Sequence, residues 1–254
     1  MRIDILTLFP EMCERVMGES ILGRAQAKGV LEAHCHNIRD YTENKQKQVD
    51  DAPFGGGMGM IMQAQPIVDC FAAVCSMVGE RPYLVYLSPQ GRVFDQKKAV
   101  ELAALPNLAL LCGHYEGIDE RVIEEIVDEE ISIGDFVLTG GELPALMVAD
   151  AVARLTPGVL SDEECFTKES HYSGLLEYPQ YSRPRVFHGR EVPEVLLSGH
   201  HANIERWRRE QMLERTLRKR PDMLEKAPLD DRDREYLRRL MEQNSGDCGG
   251  REEQ

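Results

Sequence analysis

Two segments decide the fold: Leu108-Ala109-Leu110-Leu111-Cys112-Gly113-His114-Tyr115-Glu116-Gly117 and Ile131-Ser132-Ile133-Gly134-Asp135-Phe136-Val137-Leu138-Thr139-Gly140-Gly141-Glu142-Leu143-Pro144. The first begins with an apolar run that indicates a buried strand ending in a turn. The second has glycines around a short apolar stretch and then opens a helix, with Pro144 in its first turn. Because glycine has no Cβ, the backbone at such turns can approach a ligand closely. Together the turns predict a pocket walled by main-chain groups that suits a flat heteroaromatic ring. Two ordinary connections in an α/β domain are the alternative, which the spacing alone favours.

The composition indicates a folded protein with a sizeable core. The chain has 254 residues, of which 42% are hydrophobic, enough for one large domain or two small ones. No apolar run approaches the ~20 residues that a membrane helix needs, and the N-terminus lacks a signal-peptide layout, so we expect a cytoplasmic protein with no membrane partner. The net charge of −14 argues against a uniformly basic nucleic-acid binder, but it leaves room for a local basic patch. Seven scattered cysteines without a C-x-x-C pair predict reduced thiols and no metal site.

Strands and helices alternate through the first 160 residues, which we assign to one domain. Predicted strands cover 3–9, 30–36, 83–87 and 108–111, and predicted helices cover 20–28, 66–77, 95–104, 118–127 and 142–155. Pro10 is predicted to end the first strand and Ser88-Pro89-Gln90-Gly91 to end the third. The alternation predicts an α/β fold with a mainly parallel sheet and helices on both faces.

Residues 37–59 have no clear period and finish in a glycine-rich loop, Asp50-Asp51-Ala52-Pro53-Phe54-Gly55-Gly56-Gly57-Met58-Gly59. A loop this long in a compact domain is usually functional or disordered. A phosphate-binding loop is one interpretation. However, the Gly-Lys-Ser/Thr ending of a P-loop is missing, and no clear strand precedes it. A flexible loop with a structural role is therefore the default interpretation.

The sequence changes character after residue 160. We predict a polar linker at 161–174, a small helical domain at 175–246 and a disordered tail at 247–254. A helix at 203–220 carries seven basic residues beside Trp207, a combination that suits phosphate contact and base stacking. A solvated face with salt bridges to nearby glutamates is an equal alternative. A second helix, at 228–242, is predicted to bury Leu237, Leu240 and Met241.

Long motifs recur in a fixed order and together resemble one known family. They are Asp50-Asp51-Ala52-Pro53-Phe54-Gly55-Gly56-Gly57, Leu87-Ser88-Pro89-Gln90-Gly91, Cys112-Gly113-His114-Tyr115-Glu116-Gly117-Ile118-Asp119-Glu120-Arg121, Ser132-Ile133-Gly134-Asp135-Phe136-Val137-Leu138-Thr139-Gly140-Gly141-Glu142-Leu143-Pro144, Pro157-Gly158-Val159-Leu160 and Val195-Leu196-Leu197-Ser198-Gly199-His200. Over residues 1–241 the chain is similar to the bacterial TrmD family of tRNA (guanine-N1)-methyltransferases.

This resemblance implies a SPOUT-type domain with a deep trefoil knot, a rare exception to unknotted topology. It implies S-adenosylmethionine bound in a bent form within the knot, and a homodimer whose active site spans both subunits. The C-terminal helical domain would grip the tRNA anticodon stem-loop. The implied reaction is methylation of N1 of guanine 37, just 3′ of the anticodon. A related SPOUT enzyme with another RNA target, or a catalytically inactive RNA-binding protein, is the alternative.

The resemblance also assigns binding residues by position. Those implied to hold the cofactor are Tyr86, Leu87, Ser88, Pro89, Gly113, Tyr115, Glu116, Ser132, Ile133, Gly134, Asp135, Phe136, Val137, Leu138, Gly140, Gly141 and Pro144. Those implied to contact RNA are Asp50, Gly55, Gly56, Gly57, Arg206, Arg209 and Arg215. The preceding loop, 44–48, has less arginine and histidine than the family leads us to expect.

The two catalytic residues implied by the resemblance are Arg154 and Glu169. Guanine N1 carries a proton, so a nearby carboxylate can remove it as the methyl group transfers. Negative charge then develops towards O6, where an arginine can stabilise it. The family has an aspartate where this chain has Glu169, so the base carries one more methylene here. The family also requires Mg²⁺, although the sequence shows no obvious magnesium ligands.

Overall fold

The computed structural model describes residues 1–162, 164–167 and 169–247. The chain divides between Glu163 and Glu164 into two compact units. This boundary falls within the stretch 161–174 that the sequence assigns to a linker. Of the predicted tail, 247–254, only Asp247 is described, and there it ends a helix; the remainder lies outside the described residues.

The first unit alternates strands and helices, as predicted. In chain order its elements are β1 (Arg2–Thr7), α1 (Pro10–Met17), α2 (Ser20–Ala27), β2 (Glu32–Asn37), a 3₁₀ helix (Ile38–Tyr41), β3 (Asp50–Asp51), β4 (Ile61–Met62), α3 (Ala64–Val78), β5 (Tyr83–Val93), α4 (Gln96–Ala103), β6 (Asn107–Cys112), α5 (Glu120–Ile126), β7 (Glu129–Ser132) and α6 (Glu142–Ala153). Five strands form one parallel sheet in the order β2-β1-β6-β5-β7. The predicted α/β class and parallel sheet are confirmed, and the trefoil knot stays a prediction.

The core of this unit lies against the central strands. In β6, every residue from Leu108 to Cys112 is buried, because β1 and β5 flank the strand and helices cover its faces. One face packs into a cluster with α3 and α5 that includes Ile67, Phe71 and Val122. The apolar run that opens the first glycine segment is therefore the centre of the sheet.

The predicted end of the third strand is wrong. β5 continues through Ser88-Pro89-Gln90-Gly91 to Val93, and its pairing with β7 shifts register between Leu87 and Arg92. The two backbones approach so closely that a Cβ on Gly91 would lie 2.4 Å from the carbonyl carbon of Glu130. Glycine thus permits the continuation, and the register shift accommodates a proline inside the strand.

Sequence analysis also missed several elements. It ended the first strand at Pro10, whereas β1 ends at Thr7 and Pro10 begins α1, as proline does at a first helical position. The sequence predicts a loop over residues 37–59, whereas the structure has the strand β3 within that stretch. β3 pairs antiparallel with β4, which begins just after that stretch. The sequence also predicts no strand at β7, which is only four residues long.

The second unit is mainly helical. Its elements are α7 (Glu164–Thr167), β8 (Val186–Phe187), β9 (Arg190–Glu191), α8 (Glu194–Leu197), α9 (His201–Lys219), α10 (Pro221–Leu224) and α11 (Asp231–Asp247). A small core joins Leu175, Met212, Leu213 and Leu237. Of the predicted core stripe on α11, Leu237 is buried and Leu240 half-buried, but Met241 is 48% exposed, so its assignment to the core was wrong.

Two further observations concern the described residues. Cys13, Cys35, Cys70, Cys75 and Cys112 are all free thiols. None of the helices in the described ranges is long and apolar enough to span a bilayer.

The close approach of Gly91 to the β7 backbone leads to a prediction about stability. Gly91→Ala would press a methyl group into the β7 backbone, so we expect the free energy of unfolding to fall by about 1–3 kcal/mol. Urea denaturation measures it. Gln90→Ala, at the exposed neighbouring position, should change it by less than about 0.5 kcal/mol. Equal stability of Gly91→Ala and wild type would contradict the close approach of β5 and β7.

Candidate functional site

A cavity of about 360 Å³ in the first unit opens beside residues 86–90 of β5 and the carboxyl ends of β6 and β7. In parallel α/β sheets, ligands bind at this edge. Three segments wall the cavity: 86–90 from β5, 113–118 after β6, and a stretch between 130 and 144 after β7. All the predicted cofactor residues line it except Gly134 and Asp135. Both glycine segments therefore contribute to one pocket, the interpretation that their spacing alone did not favour.

The two glycine segments are bound directly to each other. The backbone N–H of Gly141 donates to the carbonyl of Gly113 over 2.9 Å, and His114 forms a bridge with Gly140. A Cβ on Gly141 would lie 2.7 Å from the Cα of Cys112. Only glycine at position 141 permits the two turns to come this close. Gly113 and Gly141 therefore set the distance between the two segments that wall the pocket.

Tyr86 forms part of the wall behind the first turn. A Cβ on Gly113 would lie 2.8 Å from its hydroxyl oxygen, so glycine again permits close contact. Burial raises the pKa of Tyr86 to about 12, so its hydroxyl is neutral at physiological pH. It can act there as a hydrogen-bond donor or acceptor, but not as an anion.

The rim of the cavity is apolar and exposed. Phe136, Val137 and Leu138 all present large exposed side chains there. Gly134 and Asp135 lie in the same loop but do not line the cavity. Gly134 has φ of +145°, and its N–H and carbonyl both bond to the Ser132 hydroxyl. Gly134 thus shapes the turn that carries the rim.

Sequence analysis gave no role to a buried carboxylate beside this cavity. Glu142, at the first turn of α6, is only 4% exposed. Thr7 at the end of β1 donates to its Oε1 over 2.5 Å, and Nε2 of His114 lies 2.7 Å from its Oε2. Burial alone would raise the pKa of Glu142, but the bonds to His114 and Thr7 outweigh it and hold that pKa below its ordinary value.

These hydrogen bonds connect three elements around the pocket: the end of β1, the loop after β6 and the N-terminus of α6. The positive end of the α6 dipole also favours a carboxylate there. His114 and Glu142 both belong to the glycine segments, but their pairing across 28 residues cannot be read from either motif. Other cavity-lining residues without a sequence assignment are Gln90, Gly117, Ile118, Glu120, Ile123, Glu130, Ile131 and Thr139.

The glycine-rich loop at 55–59 lies beside the cavity. Met60 accepts a bond from the N–H of Glu116, and the N–H of Met62 donates to the carbonyl of Gly117. A Cβ on Gly59 would lie 2.6 Å from the side chain of Glu116. The predicted target-binding loop thus pairs with the predicted cofactor wall.

The loop itself has a conformation that requires glycine. Gly55, Gly56, Gly57 and Gly59 all have positive φ. Phe54, just before these glycines, and Met58, between two of them, have almost fully exposed side chains. Such exposure is unusual for large apolar side chains that have no binding partner. Predicted residue Asp50 precedes the loop on β3, paired with Met62 of β4.

The predicted catalytic residues belong to different units. Arg154 is the half-buried residue that closes α6, with its N–H bonded to Asp150. Glu169 is half-buried in the turn after α7. Its N–H donates to Phe166, and its carbonyl accepts from the N–H and hydroxyl of Ser173.

The three arginines predicted to contact RNA all lie on α9. Arg206 is exposed and bonds Asn203, and Arg215 is half-buried. Arg209 donates to the buried carboxylate of Asp233 on α11, with one contact of 2.6 Å. Burial would raise the pKa of Asp233, but the bond to Arg209 outweighs it and lowers that pKa. Arg209 therefore holds the two long helices together.

The network around Glu142 predicts a pH-dependent stability. Glu142→Gln removes the charge on the buried acceptor, so we expect the free energy of unfolding at pH 7 to fall by about 1–3 kcal/mol. Because the folded pKa lies below the ordinary 4.5, this stabilisation is present above pH 4.5 and is lost as pH falls through the folded value. The difference between variant and wild type should shrink accordingly in urea denaturation at decreasing pH. Glu101→Gln, at an exposed carboxylate on α4 that pairs with Lys98, should change the free energy of unfolding much less at pH 7, because exposed ion pairs contribute little. A Glu142→Gln variant with wild-type stability at that pH would contradict the network.

Comparison with known proteins places these features in one family. A family model described as tRNA (Guanine-1)-methyltransferase TrmD matches residues 1–226. The tRNA (guanine-N(1)-)-methyltransferase of Ruminiclostridium cellulolyticum is 60% identical over 228 residues, covering 90% of this chain and 98% of the relative. The relatives of the same name from Alkaliphilus oremlandii and Halalkalibacterium halodurans are 56% and 51% identical; they cover 94% and 96% of this chain and 98% and 99% of their own lengths. With a cavity built from its glycine motifs and this similarity along most of its length, the chain belongs to the TrmD family of tRNA (guanine-N1)-methyltransferases.

Proposed function

We propose that this chain transfers a methyl group from S-adenosylmethionine to N1 of guanine 37 in tRNA, just 3′ of the anticodon. One observation carries the proposal: both glycine segments and residues 86–90 of β5 close a single cavity, and Gly59, Met60 and Met62, at and after the end of the glycine-rich loop, contact its wall. This arrangement supports a cofactor site and a target-binding loop side by side within the first unit. Family membership supports the same reaction.

The cavity fits S-adenosylmethionine. Its volume of about 360 Å³ is in the range of small-molecule sites. Main chain at Gly113, Gly140 and Gly141 forms part of its walls, where a Cβ would collide with neighbouring atoms. Backbone N–H and carbonyl groups at such walls can hydrogen-bond the edge of an adenine ring. When bound, S-adenosylmethionine supplies an electrophilic methyl group on its sulfonium.

The chain's own residues complete the chemistry in this proposal. Glu169 takes the proton from guanine N1, which makes N1 a nucleophile. Arg154 stabilises the negative charge that develops on O6 as that proton leaves. The glutamate keeps the carboxylate of the family's aspartate, and its added methylene changes the reach of the base. Among the described residues, no group of three or more His, Cys, Asp or Glu side chains could hold a metal, so no step is assigned to magnesium.

The proposed partners are tRNA and a second copy of the chain. The exposed Phe54 and Met58 and the basic helix α9 support contact with the anticodon stem-loop. A homodimer is supported by exposed apolar surface, which in soluble proteins often marks an interaction site. The helices α1 and α6 pack against each other, and large apolar side chains are exposed in both regions. These exposed side chains are Phe9, Met12, Val16, Leu143 and Met147. The free thiols support a cytoplasmic location.

Methyl transfer to defined transcripts tests the proposed reaction. We expect label from methyl-tritiated S-adenosylmethionine on a tRNA transcript with guanine at position 37, and none on the matched transcript with adenine there. Label on both would move the target elsewhere and favour another RNA methyltransferase. Bound but unlabelled RNA would favour an inactive RNA-binding protein.

Substitution of the two catalytic residues tests the mechanism. Arg154→Ala should reduce transfer at least about a hundredfold while leaving the Kd for S-adenosylmethionine within about threefold, because the residue acts on the guanine. Glu169→Gln should cause a similar loss, since an amide cannot take the proton. Glu169→Asp is the matched control and should stay active. Normal turnover by Glu169→Gln would mean that another group is the base.

A further inference from the structure

The second unit contains a cavity that the predicted site does not include. Its volume is about 730 Å³, and its walls come from the segment 178–185, from α8 and from α9. Aliphatic side chains of Val192, Leu196, Leu197 and Ile204 form one part of the lining. The remainder comprises aromatic, proline and basic side chains and two neutral polar ones: Tyr178, Tyr181, Pro179, Pro184, Arg183, Arg185, Arg208, Gln180 and Ser182.

Arg208 is a basic side chain in the wall of this cavity. It lies over the ring of Tyr178, 4.9 Å from its centroid, and its Nη1 bonds Glu205 over 2.6 Å. Because the side chain is 37% exposed, its guanidinium can donate to a ligand in the cavity.

The lining of the cavity is basic, unlike the chain as a whole. Arg183, Arg185 and Arg208 line it. The carboxylates of Glu194, 3.9 Å from Arg185, and of Glu205, 2.6 Å from Arg208, lie outside the lining. The adjoining β8–β9 hairpin adds Arg190 and exposes the aromatic ring of Phe187. In a chain of net charge −14, such a local basic and aromatic surface favours an anionic, ring-bearing ligand.

We propose that this cavity binds one unpaired nucleotide of the RNA substrate. Tyrosine and proline faces suit a stacked base, and guanidinium groups suit a phosphate or a base carbonyl. The inference rests on the proposed function for the identity of the RNA. It adds a nucleotide site away from the transferred methyl group, on residues other than Arg206, Arg209 and Arg215.

Binding of a tRNA transcript to the full-length chain tests the site. Tyr181 is 49% exposed, so Tyr181→Ala removes a stacking surface at small structural cost; we expect the Kd to rise about tenfold in filter binding. Tyr181→Phe keeps the ring and should stay within about twofold of wild type. Arg208→Lys keeps the charge but loses the planar guanidinium that lies over Tyr178, and should also weaken binding several-fold. Arg238→Gln, which removes an exposed charge on α11, is the matched control and should have little effect.

Abasic transcripts identify the nucleotide. One abasic substitution at each unpaired position of the anticodon loop is combined with wild type and with Tyr181→Ala. At one position the abasic penalty seen with wild type should largely disappear with the variant, because base and ring contact each other. Additive penalties at every position, or an unchanged Kd for Tyr181→Ala, would overturn the proposal.

Other outcomes separate this site from the proposed reaction. If Tyr181→Ala leaves RNA binding intact but lowers the sedimentation coefficient, the cavity seats a second copy and the nucleotide site is refuted. If the wild-type chain binds RNA with the expected coupling but transfers no methyl group, the proposed reaction fails and the nucleotide site stands. If methyl transfer proceeds and Tyr181→Ala binds normally, only the nucleotide site fails.

Discussion

The buried carboxylate of Glu142 is the interaction on which the candidate site depends. It binds Thr7 at the end of β1 and His114 in the loop after β6, and it stands at the start of α6. A buried charge is tolerated only when its hydrogen bonds are made, so these three elements are held together or the charge is left uncompensated. The position of the first glycine turn relative to the second follows from that requirement.

The glycines then set how closely these elements approach. At Gly141 and Gly113 a side chain would collide with the neighbouring turn or with Tyr86, and at Gly91 it would collide with β7. The resulting cavity has main-chain walls and an apolar rim, which suits a ligand recognised by its ring and its backbone hydrogen bonds. A methyl donor with an adenine ring matches that chemistry. Met60 and Met62, which follow the loop at 55–59, hydrogen-bond to the cavity wall, so the loop lies beside the cavity.

The parts of this arrangement that depend on local sequence patterns could be predicted from the sequence. The apolar run at 108–111 predicts the central strand. The spacing of the glycine segments alone favours two ordinary connections, and only the resemblance of the longer motifs to a known family indicates one pocket. Contacts between distant residues could not be predicted in this way. Glu142 reaches Thr7 across 135 residues, and Arg209 is held by Asp233, which the basic composition of α9 does not reveal. β5 passes through a Pro and Gly pair that normally ends a strand, because the bulge against β7 is a tertiary feature.

The most direct test of the central claim is a crystal structure of the chain with S-adenosylhomocysteine, the demethylated product of the proposed donor. We predict electron density for the ligand in the cavity walled by 86–90, 113–118 and the stretch after β7, with its adenine edge hydrogen-bonded to main-chain atoms of residues 133–138. Density at another site, or an adenine held only by side chains with the glycine turns empty, would contradict the account.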